Sequence, residues 1–232
     1  MFDAAGLLNQ FLGAGSGDTA QKGKDYLSKN AGSLAGGAAA GGVAGFLLGS
    51  KKGRKVATKA ATYGGMALVA GLAYKAYSNY KQEKQATPAH PDVQSETIPE
   101  LPQNSAFQIE NKGGINSFGA TLISAMIAAA KADGQIDGDE LQKVFAKVEE
   151  LGLDGDEKTF LFDQLNRPLD IDSLVAAAST QEQAVEIYVA SLMAIEADTP
   201  AEQAYLSMLA ARLNLEQDLV NHIHNTLSQA AD

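Results

Sequence analysis

The sequence predicts an all-α protein. We expect a bundle of about seven helices in the C-terminal half and, before it, a Gly/Ala-rich transmembrane helix or helical hairpin. From Ile115 onward, apolar residues recur at i, i+3 and i+4 through successive segments, which is the spacing of amphipathic helices. Two runs in the first half, residues 31–50 and 60–74, contain no charged residue.

The charge is divided unevenly between the two halves. Residues 1–84 carry eleven Lys/Arg and four Asp/Glu, whereas residues 115–232 carry six Lys/Arg and twenty Asp/Glu. A basic first half suits an anionic lipid surface. The acidic second half argues against nucleic acid as a partner, because it would repel phosphates. The chain has no Cys, which excludes disulfides, thiol nucleophiles and cysteine metal ligands.

Residues 1–30 form an N-terminal segment that begins with the apolar residues Leu7, Leu8, Phe11 and Leu12. Three interpretations stay open for this segment. It is a short amphipathic helix lying on a membrane, a packing segment, or a disordered one.

Residues 31–84 are predicted to anchor the chain in a membrane, with lipids as partners. The first uncharged run is close to the length of a membrane span. Within it Gly37, Gly41 and Gly45 recur every four residues, a pattern that lets membrane helices approach closely and favours a homo-oligomer. A flexible Gly-rich linker is the alternative. Either the second uncharged run, residues 60–74, is the single span, or the two runs form a hairpin around the basic stretch 51–55.

A linker is predicted for residues 85–114, because this polar segment holds four of the six prolines and no periodic apolar face.

Residues 115–232 form the predicted helical domain. Thr180 and Thr199 have the positions of helix N-caps, and Pro200 and Glu202 follow Thr199 as the first helical residue and the capping-box partner. Met126, Met193 and Met208 are expected to pack the core. The apolar stripes include Phe118, Leu122 and Ile127, then Leu141, Val144, Phe145, Val148 and Leu151, then Leu161 and Leu165, Leu174 and Val175, Val185, Tyr188 and Leu192, and last Leu219, Val220, Ile223 and Leu227.

Two acidic turns in this domain resemble each other. "AKADGQID" places Asp133 and Asp137 where "IEADTPAE", 65 residues later, places Asp198 and Glu202. Each turn follows one apolar helix and precedes another. We therefore expect two related helical hairpins packed about a pseudo-two-fold axis, with the four carboxylates converging.

The first acidic turn has two competing interpretations. From Asp133 to Glu140 it fits the second half of an EF-hand calcium loop, but the first half would fall inside a helix. A hard cation, Ca²⁺ or Mg²⁺ rather than Zn²⁺, would therefore need ligands from the second turn. Alternatively, Gly134 ends one helix while Asp137 and Glu140 cap the next. Capping explains Asp133 and Asp198 less well, because we expect both at helix C-terminal ends, where negative charge is unfavourable.

Several segments in order resemble the YebE-like bacterial inner-membrane proteins, a family of unknown function whose C-terminal region is similar to the tellurite-resistance TerB domain. They are "GSKKGRK…YGG…AGLAYKAY", "AMIAAAKADGQIDGDE", "RPLDIDSLVAAA" and "EQAVEIYVASLMAIEADTPAEQAYLSMLAARLNL". The resemblance implies an inner-membrane location, with the TerB-like domain in the cytoplasm. The resemblance brings no established enzymatic activity. Carried over by position, the residues proposed to bind divalent metal are Asp133, Asp137, Glu140, Asp198 and Glu202.

Two functions follow as hypotheses. The first is a membrane-anchored, non-catalytic TerB-like module that responds to divalent metal or binds a protein partner in envelope or metal stress. The second is a structural or scaffolding membrane protein that self-associates through the glycine stripe without binding metal. An enzyme is the least supported class, because no nucleophile, oxyanion donor or cofactor fingerprint accompanies the carboxylates.

Overall fold

The computed structural model describes residues 2–11, 65–84, 101–102, 105–108, 115–132, 134 and 153–231. All regular secondary structure in this part of the chain is helical, as predicted. The helices are α1 (Ala4–Phe11), α2 (Gly65–Lys84), α3 (Ile115–Ala130), α4 (Gly155–Asn166), α5 (Ile171–Ala177), α6 (Gln181–Ala194), α7 (Pro200–Arg212) and α8 (Gln217–Ala231).

The helix ends of the C-terminal half follow local sequence signals. Helix α4 stops at Asn166, before the Arg167-Pro168 pair, since the residue preceding a proline disfavours helical geometry. Thr180 caps α6, and its Oγ1 accepts a hydrogen bond from Gln183 N at 3.2 Å. Of the about seven helices predicted for residues 115–232, six lie among the described residues. The remaining one, predicted around Leu141 to Leu151, lies outside the described residues.

Helices α3 and α6 form the centre of the core. They form the most extensive helix–helix contact in the described part of the chain. Every residue of α6 from Ala184 to Ala194 is buried, as expected for a helix that is largely apolar on all sides. Helix α7 packs on α6, α3 and α5, and α4 and α5 pack on α3.

Helices α1 and α2 from the first half of the chain join the same core. Helix α2 packs against α8 and α6, and α1 packs against α3 and α2. Leu7 and Leu8 on α1 and Leu68 on α2 have no exposed surface. Protein therefore covers these apolar side chains of α1 and part of the second uncharged run.

None of the helices in the described part of the chain is both long enough and apolar enough to cross a membrane. The uncharged run 31–50, with Gly37, Gly41 and Gly45, and the basic stretch 51–55 lie outside the described residues. The predicted boundaries of the membrane-anchoring region therefore stay a prediction.

Part of the predicted linker also contacts the core. Phe107 is 2% exposed, and its ring meets Tyr74 and Tyr77 of α2 edge-on at centroid distances of 5.8 and 5.7 Å. These aromatic contacts fix the 105–108 segment beside α2.

One predicted core residue is exposed. Met126 and Met193 are buried as expected, whereas 49% of Met208 is exposed. The buried stripe of α7 contains Glu202, Tyr205, Leu206 and Leu209, at i, i+3, i+4 and i+7. Met208 falls on the other side of the helix, so the prediction for this residue was wrong.

Candidate functional site

The first acidic turn begins where α3 ends. Gly134 has φ +146°, and its N–H donates to the carbonyl of Lys131 at 3.3 Å. A positive φ at this position is readily adopted only by glycine, which agrees with the predicted role of Gly134 as a helix terminator. Asp133, Asp137 and Glu140 lie outside the described residues, so their predicted roles as ligands or caps stay predictions.

Lys131 ties this turn to the end of α4. Its Nζ donates to the carbonyls of Gln164 at 3.3 Å, Leu165 at 2.8 Å and Arg167. These carbonyls belong to the last turn of α4 and the residue after it, where the helix dipole favours a cation. Burial lowers the pKa of Lys131. Sequence analysis missed this contact, because nothing in the local pattern connects residue 131 with residues more than thirty positions away.

A small groove lies beside Lys131, between α3 and the connection from α4 to α5. Its volume is about 210 Å³, and Thr121, Ser124 and Leu169 contribute to its lining. The two hydroxyls donate to carbonyls of their own helix, at Ser117 and Ala120. The groove is lined by apolar residues such as Ile127 and Leu174 and by polar ones such as Asp170 and Ser173.

The second acidic turn is fully described, and it differs from the expectation. Helix α6 ends at Ala194, and Asp198 stands four residues later, immediately before Thr199, the N-cap of α7. Asp198 is exposed. Its place is thus next to a helix N-terminus, where negative charge is favourable. The prediction that Asp198 stands at an unfavourable helix C-terminal end was wrong.

Glu202 is 2% exposed and completes the predicted capping box. Its Oε2 accepts hydrogen bonds from Thr199 N at 3.1 Å and Thr199 Oγ1 at 3.0 Å. In return, Glu202 N donates to Thr199 Oγ1 at 3.2 Å. The carboxylate therefore satisfies backbone and side-chain donors at the start of α7, and this local role explains its burial.

The two acidic turns follow helices that contact each other. The offset of 65 residues maps α3 onto α6, and these two helices pack together. At their contact Ser191 Oγ donates to the Ala125 carbonyl at 3.3 Å. The prediction of two related hairpins requires that their first helices, α3 and α6, contact each other, as they do here.

The structure groups no candidate metal ligands in the part that it describes. No three His, Asp or Glu side chains there are arranged so that they could hold a metal ion. Asp198 and Glu202 alone do not form a cation site with other described residues. The predicted five-residue set depends on Asp133, Asp137 and Glu140, and it stays a prediction.

A polar cleft of about 390 Å³ lies between α2 and α8. His222 Nε2 is 2.7 Å from Glu83 Oε2, and Lys84 pairs with Glu216. The hydrogen bond from Lys84 lowers the pKa of the Glu216 carboxyl and raises the pKa of the lysine. The lysine Nζ also lies 5.0 Å above the centre of the Tyr80 ring. These contacts join the end of α2 to the start of α8 and the residue before it.

The other C-terminal histidine faces a different helix. His224 Nε2 is 2.9 Å from Tyr188 Oη of α6, whereas His222 contacts α2. The two histidines are two residues apart on α8 and therefore face different ways. Burial raises the pKa of Tyr188 to about 12.

Comparison with known proteins places the chain in a family without an assigned activity. It is similar to a protein of Yersinia enterocolitica described as "Uncharacterized protein in ampR 5'region", with 27% identity over 108 residues, 47% of this chain and 78% of the relative. No solved structure matches the chain. The family model described as "Protein of unknown function (DUF533)" matches residues 33–227, which is most of the chain, so the protein belongs to this family of unknown function.

Proposed function

We propose that the protein is a non-catalytic, TerB-like helical module held at the bacterial inner membrane. Its acidic C-terminal region binds a divalent cation, or binds a protein partner in a cation-dependent way, in envelope or metal stress. The observation that carries the proposal is the direct packing of α3 and α6, because each of these repeat-related helices leads into one of the two acidic turns.

The proposed ligands are carboxylates from both turns. Asp133, Asp137 and Glu140 come from the first turn, and Asp198 comes from the second. Asp198 is exposed beside the start of α7, so its carboxylate is accessible to a cation. Glu202 is expected to contribute least, because its Oε2 already accepts two hydrogen bonds from Thr199.

The donor chemistry favours a hard cation. Carboxylate oxygens are typical ligands of Ca²⁺ and Mg²⁺, whereas Zn²⁺ is usually held by His and Cys. The chain has no Cys and only three His, and two of these contact Glu83 and Tyr188 on neighbouring helices.

Attachment to the membrane rests on the sequence between α1 and α2. The uncharged run 31–50 is followed by the basic stretch 51–55, a combination that suits lipid hydrocarbon and headgroups. The C-terminal half is proposed to lie in the cytoplasm by its similarity to TerB domains. Protease accessibility in spheroplasts tests this: digestion of the C-terminal half from outside would contradict the orientation.

Calorimetric titration of the full chain in detergent tests cation binding. Ca²⁺, Mg²⁺, Mn²⁺ and Zn²⁺ are compared, and the melting temperature is measured with each. We expect binding heat and a raised melting temperature with Ca²⁺ or Mg²⁺. Both are lost in an Asp133→Asn/Asp198→Asn variant and kept in Asp163→Asn, which removes an exposed carboxylate of α4. Absence of heat and of any thermal shift at millimolar metal would contradict the proposal.

The scaffolding hypothesis makes a different prediction. If the glycine stripe drives assembly, Gly41→Leu abolishes crosslinking between copies in membranes, and chelation of metal changes nothing. Cation-dependent crosslinking that survives Gly41→Leu would favour the binding module instead.

A further inference from the structure

Helix α7 presents one of its sides to solvent. The exposed residues on this side are Ala201, Ala204, Ser207, Met208 and Ala211. Met208 is one of two large apolar side chains that are exposed in the described part of the chain; the other is Leu169. A single exposed methionine needs no explanation. Here, however, it stands near the middle of a helix face that otherwise offers three alanines and a serine.

We propose that this face of α7 packs against the same face of a second copy, with the two helices antiparallel about a two-fold axis at the level of Leu206. Residue 206 is midway between Ala204 and Met208. The axis therefore places Met208 of one copy over Ala204 of the second copy, and the reverse contact forms by symmetry. A self-complementary patch of this kind is what a two-fold dimer requires.

The side-chain sizes fit this arrangement. Each methionine enters the space that an alanine leaves, and Ala201 lies opposite Ala211 of the second copy. Small residues allow the helix axes to approach to about 8 Å, the close end of the usual range. The flexible methionine side chain adapts to such a shallow surface.

The charges at the two ends of α7 select the antiparallel orientation. Asp198 is exposed just before the N-cap, and Arg212 is the last residue of the helix. An antiparallel pair brings Arg212 of each copy near Asp198 of the other. Arg212 pairs with Asp172 in its own chain, and both side chains are at least half exposed. An exposed pair contributes about 0–1 kcal/mol, so the arginine can exchange partners at little cost.

The interface is expected to be weak in dilute solution. One face of a thirteen-residue helix buries less than the roughly 1,000 Å² of a stable complex. Tethering both copies to one membrane would raise their effective concentration and favour pairing. The pairing requires neither a bound cation nor the glycine stripe, so the failure of either proposal leaves it standing. Asp198 takes part in both proposals, and the pairing is therefore tested with the cation removed.

Site-directed disulfide crosslinking tests the pairing, because the natural chain has no Cys. Full-length Ala204→Cys and Met208→Cys chains are co-expressed in membranes with EDTA present and oxidised. We expect several-fold more mixed disulfide dimer than from Ser228→Cys, a control at an exposed position of α8. Yields equal to the control overturn the proposal. The same yield in a Gly41→Leu background separates this contact from the glycine stripe.

A charge swap tests the orientation. Arg212→Glu or Asp198→Lys alone is expected to lower the yield of the 204–208 disulfide at least twofold, and the two together are expected to restore it. Arg212→Glu also removes the pair with Asp172, but Asp198→Lys cannot replace that contact. A restored disulfide yield therefore reports contact between copies. If the yield is not restored although all variants melt at the temperature of the parent, the antiparallel arrangement is overturned.

Discussion

At the scale of single residues, two of the three buried acidic side chains in the described part of the chain close helix caps, and the third, Glu186, lies within α6. Glu157 and Glu202 are 7% and 2% exposed, and each closes a capping box, with Asp154 and Thr199 respectively. Their burial has a local structural cause. Asp198 is exposed, so it is available for contacts beyond its own helix.

Replacing Glu202 tests this distinction. Glu202→Ala removes the acceptor of the Thr199 N–H and is expected to lower the free energy of unfolding by about 1–2 kcal/mol. Glu202→Gln keeps an acceptor and is expected to cost less. Chemical denaturation measures both, with Ser207→Ala on the exposed side of α7 as the control. A larger loss for Gln than for Ala would contradict the capping role.

Two buried tyrosines predict a loss of stability in alkali. Burial raises the pKa of Tyr188 and of Tyr205 to about 12, from an ordinary value of 10.0. The unfolded state loses these protons first, so the free energy of unfolding falls as the pH rises from about 10 to about 12. A two-unit shift corresponds to at most about 3 kcal/mol per tyrosine.

Denaturation at pH 9, 10 and 11 measures this effect. Tyr188→Phe and Tyr205→Phe are each expected to flatten the pH dependence, whereas Tyr74→Phe, at a partly exposed position, serves as the matched control. An unchanged slope in both buried variants would rule out the tyrosines as its source.

At the scale of helices, the sequence predicts the helix ends best, because nearby residues determine them. The ends of α4, α6 and α7 follow from Pro168, Thr180 and Thr199, because a proline or a cap acts within one turn. Local patterns do not show which side of α7 is buried around Met208, nor that Lys131 caps α4. Those features depend on contacts between distant segments. Asp133, Asp137 and Glu140 lie outside the described residues, so only the second turn of the candidate site can be compared with its prediction.

The packing of α1 on α3 depends on a glycine. A Cβ placed on Gly119 would lie 3.1 Å from the Cβ of Ala4. Gly119→Leu is therefore expected to displace α1 and to cost about 1–3 kcal/mol. Thermal unfolding measures the loss. Gly155→Leu is the matched control, since a Cβ there meets nothing within 4 Å; equal losses in the two variants would argue against a close α1–α3 contact.

At the scale of the whole molecule, the first and second halves of the chain share one core. The sequence suggested a boundary at residue 115, because composition and charge change there. Yet Leu68, Val69 and Leu72 on α2 are at most 1% exposed, and α2 packs on α6 and α8. The same apolar run suits a membrane and a protein interior equally well, so hydropathy alone does not distinguish them.

This shared core predicts that residues 115–232 are unstable without the preceding helices. Removal of α1 and α2 uncovers the apolar sides of α3, α6 and α8, and a single buried leucine already contributes about 2–5 kcal/mol when truncated to alanine. We expect the fragment to melt at a lower temperature than the full chain and to bind a hydrophobic dye. Leu72→Ala in the full chain should shift the melting temperature in the same direction, whereas Gln82→Ala, on the exposed side of α2, should not. A fragment as stable as the full chain would show that the C-terminal half is an independent folding unit and that α2 only rests on its surface.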